Sequence, residues 1–447
     1  MNKKRIIKYI LLFLFFYVSL VFIFTLSRSD TFVNFGFSYA ISKGQIPYRD
    51  FNMVITPFAP FLYSIGLLMC NNILVYYLEQ ALLLTLLFYY IDKILGKKSI
   101  LFLLILIIPY PIAMSSILFP GYNYIVVLLL VMFIYYFKNN KNDYLLGLIL
   151  GFIFCTKQTM GIVLFVPTFY FLIKDREKFK KMFIGYIIPI IILFIYLIIT
   201  KSLYVFYDLC FLGLFDFNKS NNNIDIYYLL LFILGVVYLL FRIIKDKNNI
   251  LLYYILLYSL VVFPIVDYYH TSIFLIIIFL IILDDYNLKR DIFKYIVIII
   301  AAISVLWLFV TYYFLRPISI RNYNNFSLVI NEKSYNDNSY KLIKYTSRLD
   351  KKVIFFMRGS ENFFYKITCD KKLNYYDLPN YGNYGYNGIE KIKNRIKNEH
   401  DCYFVIDRVL VKNNSSEQQY IKELGQYVIK HSRLIKSIGL YDIYYKE

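Results

Sequence analysis

The sequence predicts a polytopic α-helical membrane protein with about eleven transmembrane helices, its N-terminus inside and its C-terminus outside, and a small extracytoplasmic α/β domain at the C-terminal end. Three observations predict it. Hydrophobic residues make up 59% of the 447 and charged residues 17%, and the mean hydropathy is +0.55. Several apolar runs exceed the roughly 18 residues that mark a spanning helix, without the short alternating pattern of a barrel. From Arg316 onward the chain becomes polar and alternates helix-like with β-rich patches.

The first run, at 6–26, is longer than the apolar core of a secretory leader, and no small-x-small site follows it, so it is expected to stay as a helix. Further helices are predicted at 73–91, 99–117, 122–137, 144–157, 159–173, 182–200, 226–244, 250–266, 271–283 and 292–314. The segment 57–70, PFAPFLYSIGLLMC, is too short to span and is expected at the interface or as an extension of the second helix.

Orientation follows from the basic residues. With the N-terminus inside, the loops on that side carry twenty Lys and Arg, against six on the other. The membrane domain is therefore read as 1–315, with an outer first loop at 27–57, and the outer tail as 316–447. The net charge of +20 is a consequence of topology, so the lipid bilayer is the expected partner and nucleic acid is not. The expected location is the plasma membrane. The abundance of Ile, Lys, Asn and Tyr is consistent with an AT-rich bacterial genome.

In the tail, helices are predicted near 337–350, 388–399 and 416–432. Strands are predicted at 353–357, 402–407 and in the closing LIKSIGLYDIYY, with DLPNYGNYGYNG (377–388) as an irregular loop. Of five cysteines, Cys70, Cys155 and Cys210 lie in or near spans as packing residues. Cys369 and Cys402 are placed where a disulfide is permitted but not required.

Three stretches carry chemistry. In "RSDTFVNFGFSYAISKGQIPYRDF" (28–51), Phe32, Phe35 and Tyr39 recur at helical spacing, which predicts a short amphipathic helix on the membrane surface. Asp30 would cap that helix or act in a site, and Pro47 would stiffen a turn that presents Tyr48, Arg49 and Asp50. Asp50 is either a local partner of Arg49 or an acid in its own right. In FCTKQTMG (154–161), two basic flanks force a hairpin of two arms, each about 20 Å long, which leaves Lys157 and Gln158 below the outer surface. A lysine there either snorkels to the interface or binds an anion. Gly147 and Gly151 would let the first arm pack tightly on a neighbour. FPIVDYYH (263–270) brings Asp267 and His270 to an outer helix end, as a cap or a hydrogen-bonding pair, with no metal-ligand spacing. FPGYN, with Tyr122, and the loop 201–225 are predicted on the same face. No phosphate-cradling glycine loop or nucleotide signature is present.

One helix, a long outer loop with an early acid, many further helices and an outer C-terminal domain together resemble the GT-C glycosyltransferases. The likeness is to bacterial relatives of the protein O-mannosyltransferase and aminoarabinose transferase superfamily. Asp30 stands where that family has its acid, Thr31 where Glu often follows, and TPFAP (56–60) where Lys-Pro-Pro-Leu is usual. FPIVDYYH resembles the family's Pro…His element without its arginine. The resemblance implies transfer of a sugar from a polyprenyl-phosphate donor to an envelope acceptor (glycan, lipid or protein), without a nucleotide cofactor and with a divalent metal left open. Asp30 would be the general base or would orient the acceptor hydroxyl, and Asp50 would share the acid role or order the loop. Lys157, with Arg49 or His270, would hold the donor phosphate, and Tyr48, Gln158, Asp267 and Tyr122 would line the site. A polysaccharide polymerase or ligase is the main rival reading. A lipid-linked-sugar flippase is disfavoured by the scarcity of ionisable residues within the spans.

Overall fold

The structure is a computed structural model that describes residues 3–23, 30–107, 121–220, 224–285, 318–323, 326–331, 337–357, 359–378, 382–412 and 419–447. Two compact units form. One comprises Met1–Phe24, Tyr77–Phe194 and Asn222–Arg316, and the other Thr25–Tyr76, Ile195–Asn221 and Pro317–Glu447.

Among the described residues, four helical stretches are long and apolar enough to cross a membrane: Ile73–Leu103, Arg176–Ile199, Ile226–Lys245 and Tyr268–Asp285. Tyr122–Lys138, Asp143–Thr156, Gln158–Lys174 and Ile250–Val262 are shorter apolar helices, each on a predicted run. The run 292–314 and the second half of 99–117 lie outside the described residues. Ile226–Lys245 shows why lipid is the fitting solvent. It buries only Tyr228, Gly235 and Leu239, and leaves Leu230, Leu234, Val237 and Phe241 exposed, an apolar face too long for water to accommodate.

In the first unit, helices meet where side chains are small. A Cβ on Gly147 would lie 1.9 Å from the Met182 carbonyl oxygen, and one on Gly151 2.4 Å from that of Tyr186. Gly185 returns the contact, with its added Cβ 2.2 Å from the Tyr144 oxygen. Asp143–Thr156 and Arg176–Ile199 therefore touch backbone to backbone, as the glycine spacing predicts. The two ends of this bundle differ in charge. At one end Lys8 pairs with Asp92 at 2.7 Å, Lys138 with Asp284, and Arg242 with Asp285. There Lys98 Nζ also donates to the carbonyls of Leu283 (2.8 Å) and Asp284 (3.1 Å). Following each helix to its other terminus leads to Tyr122, Lys157 and Tyr268. At that end the Asp225 N–H donates to the Val266 carbonyl at 2.9 Å.

The second unit joins the tail to the segments Thr25–Tyr76 and Ile195–Asn221. Its main sheet has the order β3 (Lys352–Phe356), β4 (Cys402–Asp407), β6 (Tyr441–Lys446), β5 (Arg433–Ile438). β3 and β4 are parallel, and the other pairings are antiparallel. A parallel pair needs a crossover, supplied by the helices Gly359–Thr368 and Gly388–Asn398. Ile354, Phe356, Ile392, Phe404, Leu424 and Val428 fill the core. The α/β character and most of the tail elements fall where the sequence placed them. The hairpin β1 (Ile318–Tyr323) with β2 (Phe326–Asn331) and the helix Gly359–Thr368 were not foreseen. None of the five cysteines, all among the described residues, forms a disulfide. Cys369 sits 2.9 Å from the Thr346 hydroxyl, and Cys402 is buried in β4. Burial pushes both tail thiols up to about 11, which keeps them inert at neutral pH.

The predicted helix forms at Asp30–Ser42, with its apolar side covered by protein and Val33, Asn34, Ile41 and Ser42 half-buried. Phe32, Phe35, Phe37, Ser38, Tyr39 and Ala40 are all buried. It packs against both Phe58–Met69 and Gly359–Thr368. Gly36 is the reason: its missing side chain admits the Phe363 ring, which stands edge-on to Phe37 at 5.2 Å. The side of the helix that carries Phe32, Phe35 and Tyr39 is thus part of the core of its unit.

Candidate functional site

The residues singled out in the sequence fall into separate groups, one in the second unit and two in the first. In the second unit, Gly44 (φ +79°) ends the helix Asp30–Ser42, and the chain then turns through Pro47 to Phe51. Tyr48 takes φ +65°, a costly conformation for an aromatic residue. The fold holds it there. The Tyr48 N–H donates to the Phe51 carbonyl at 2.9 Å and its hydroxyl to the Ile55 carbonyl at 2.5 Å. Its ring meets Phe206 edge-on at 5.2 Å and is fully buried. The Asp50 carboxylate accepts from the Ile46 N–H at 2.7 Å and from Arg49 Nε at 2.8 Å and Nη2 at 3.1 Å. Burial pulls this carboxyl up, but the Arg49 guanidinium and the Ile46 amide outweigh it and hold Asp50 below the usual range.

Tail residues close over this turn. The Tyr375 hydroxyl donates to the carbonyls of Tyr48 (3.1 Å) and Arg49. The Arg395 guanidinium lies 3.9 Å from the Tyr375 ring centre. Gln45 exchanges hydrogen bonds with the Leu373 backbone in both directions, at 2.9 and 3.0 Å. Asn52 donates to the carbonyls of Tyr375 (3.2 Å) and Asn383 (3.0 Å). From the 201–220 segment, Asp208 accepts from the Tyr386 N–H at 3.1 Å and Lys391 Nζ at 2.5 Å, and Asp216 accepts from the Asn387 N–H at 2.8 Å. The Asn/Gly/Tyr-rich loop read as irregular is therefore pinned from two sides. Gly385 (φ +77°) is required there, because an added Cβ would meet an Asp208 oxygen at 2.1 Å.

In the first unit, Lys157 is the extended residue (φ −148°, ψ 98°) between Asp143–Thr156 and Gln158–Phe165. The fold-back is close because Gly161 lies against Phe154, where an added Cβ would be 2.2 Å from its Cα. Lys157 Nζ donates to Asn123 Oδ1 at 3.1 Å and stands 5.7 Å from the Tyr122 ring centre. Among the described residues no carboxylate lies within ion-pairing distance of it. Its other neighbours in the chain, Thr156 and Gln158, are buried. A cation held by an amide oxygen and a ring face keeps its charge available to an anion.

Elsewhere in the first unit, Asp267 Oδ1 accepts the His270 N–H at 2.8 Å and also lies 2.8 Å from His270 Nδ1. This is the cap reading of FPIVDYYH, since the carboxylate satisfies a free amide in the first turn of Tyr268–Asp285. Burial raises the Asp267 carboxyl, but the contacts with His270 leave it lowered overall. Tyr122 and Lys157 are thus brought together, as are Asp267 with His270 and Arg49 with Asp50. Asp30 is the first residue of its helix, and its side chain is outside the described ones. Asn123, Asn52, Tyr375 and Arg395 were not singled out. Asn123 follows Tyr122 in a stretch already marked, whereas the other three carry no local signal. Among the described residues, no group of three or more His, Cys, Asp or Glu side chains is placed to hold a metal ion.

No family model matches the sequence, and neither does any curated protein. Similar solved structures exist. A crystal structure of the Archaeoglobus fulgidus oligosaccharyltransferase, in complex with Zn and sulfate, has a TM-score of 0.46 and 9% identity, covering 97% of this chain and 73% of that one. The Archaeoglobus fulgidus oligosaccharyltransferase AglB, in complex with an inhibitory peptide and a dolichol-phosphate, has the same score and identity and covers 100% and 75%.

Proposed function

We propose that this chain is a membrane glycosyltransferase of GT-C type, which moves a sugar from a polyprenyl-phosphate donor to a hydroxyl of an extracytoplasmic acceptor. The observation that carries the reading is Lys157: a lysine at a helix break, with only neutral partners among the described residues, at the bundle end away from the ion-paired basic residues. In the reaction the acceptor hydroxyl attacks the anomeric carbon and the bond from that carbon to the phosphate oxygen breaks. The lipid phosphate leaves with the electron pair. Lys157 neutralises that phosphate, and a carboxylate takes the hydroxyl proton, the role that the resemblance gives to Asp30. Asp50, with its oxygens engaged by Arg49 and the Ile46 amide, orders the loop. Arg49 is nearly half exposed at 48%.

The test begins with the host. Removing the protein should cause one polyprenyl-phosphate sugar to accumulate, identified by mass spectrometry of the lipid extract. That lipid, reconstituted with full-length protein in vesicles, should release polyprenyl phosphate. Lys157→Ala should slow the release about tenfold or more, the worth of one charge-assisted contact, and Lys157→Arg should keep most of the rate. Asp30→Asn should abolish it in a folded protein. Accumulation of no lipid-linked sugar, or an unchanged rate in Lys157→Ala, overturns the reading.

A further inference from the structure

Away from these residues, the tail carries a second cationic feature. A cleft of about 420 Å³ opens between the helix Asp337–Thr346 with the turn after it and the edge strand β5, lined by Asn338, Lys341, Lys344, Tyr345, Arg348 and Lys436. Lys341, Lys344 and Arg348 are spaced three and four apart, so they form one stripe. Lys436 reaches in from β5, with its Nζ 4.4 Å from the Tyr345 ring centre. The β5–β6 turn closes one end: Gly439 (φ +57°) packs so tightly on Asn338 that an added Cβ would lie 2.4 Å from its side-chain nitrogen.

The charges around this cleft are unbalanced. Elsewhere in the tail, several lysines find carboxylates: Lys351 pairs with Asp401, Lys352 with Glu399, and Lys393 with Glu390 and Glu423. Among the described residues, none of the four cleft cations has an acidic partner. Like charges at these spacings repel one another, and a concave wall of one sign concentrates counter-ions. The volume suits a small ligand with more than one negative charge, and the guanidinium of Arg348 fits the geometry of phosphate oxygens.

We propose that this cleft is a binding site for a phosphate-bearing ligand of at least two negative charges, or for phosphate headgroups presented together. It is independent of the sugar-transfer reading, because none of its residues belongs to the loop 28–56 or to the Lys157 hairpin.

The test uses full-length protein in a neutral detergent, with inorganic pyrophosphate and dioctanoyl phosphatidylglycerol as probes and dioctanoyl phosphatidylcholine as the uncharged control, followed by calorimetry. The protein should bind pyrophosphate or phosphatidylglycerol, and bind it more weakly as salt rises. The tighter of the two identifies a soluble phosphate or a lipid headgroup as the source. Neutralising Lys341, Lys344 and Arg348 together to Gln should weaken binding at least tenfold. Neutralising Lys397, Lys412 and Lys430, which removes the same charge elsewhere in the tail, should change it less than twofold. Equal loss in both triple variants overturns the proposal, as does equal binding of the two lipids without pyrophosphate binding, or no binding of any probe.

Discussion

Lys366 and Asp377 give the sharpest test of the tail's packing. Lys366 Nζ lies 2.9 Å from Asp377 Oδ1, and the two side chains are 0% and 3% exposed. The pair is supported on each side: Lys366 also donates to the Lys372 carbonyl at 3.0 Å, and Asp377 Oδ2 accepts the Asn374 N–H at 2.6 Å. Burial is the largest influence on both, raising the Asp377 carboxyl and lowering the Lys366 amine, while their mutual attraction opposes it. Lys366→Met leaves a carboxylate buried without its cation, at a cost of about 3–5 kcal/mol. For a unit of this size that is a fall in melting temperature of about 10 °C or more. Replacing both, as Lys366→Met with Asp377→Leu, should recover most of the loss, because an apolar pair needs no desolvation. The sign with pH follows from the raised carboxyl. A group whose folded pKa lies above its unfolded value contributes stability below the unfolded value, near 4, and loses it as pH rises through the folded one. The deficit of Lys366→Met should therefore narrow as pH falls from 7 towards 5. The assay is thermal denaturation of the full-length protein in detergent at one scan rate, since such unfolding is irreversible. A Lys366→Met variant that melts within about 2 °C of the parent at pH 7, or whose deficit widens in acid, refutes the reasoning.

Three further outcomes follow from the geometry. Gly36→Leu should lower the melting temperature by several degrees, because even its Cβ would meet the Phe363 ring at 2.1 Å, an overpacking cost of about 1–3 kcal/mol. Gly147→Val drives a side chain into the Met182 carbonyl and should reduce the yield of folded, detergent-extractable protein, measured by size-exclusion chromatography, far more than a Val at the exposed Ile162. Asp50→Asn removes an ion pair that is largely open to solvent, so it should cost less than about 1 kcal/mol in thermal denaturation at pH 7. With the folded carboxyl below its usual range, that contribution is present above pH 4 or so and is lost only as pH falls further, so melting curves at pH 5 and pH 8 should show the same small difference.

The sequence by itself determined what depends on local composition and period. Apolar runs marked the helices Tyr122–Lys138, Asp143–Thr156 and Ile226–Lys245 to within a residue or so, because a membrane solvent demands uninterrupted apolar length. Glycines four apart at Gly147 and Gly151 announced a close helix contact, though not that its partner would be Arg176–Ile199. Alternating β-rich and helical patches announced the tail's sheet, but strand order and the parallel β3–β4 pair belong to tertiary structure. The loop 28–51 shows the limit most clearly. Its period predicted a helix correctly, and the apolar side expected at the membrane surface is covered by protein. A one-dimensional pattern records which side chains avoid water, not whether lipid or the Phe363 ring of a distant segment will cover them. Likewise, Arg49 and Asp50 were legible as neighbours, whereas Tyr375 and Arg395 reach that turn only because the tail folds over it, more than three hundred residues along the chain. Lys157 stands between the two cases. Basic flanks alone made its hairpin necessary, but only the packing of Tyr122 and Asn123 beside it left the ammonium with neutral partners.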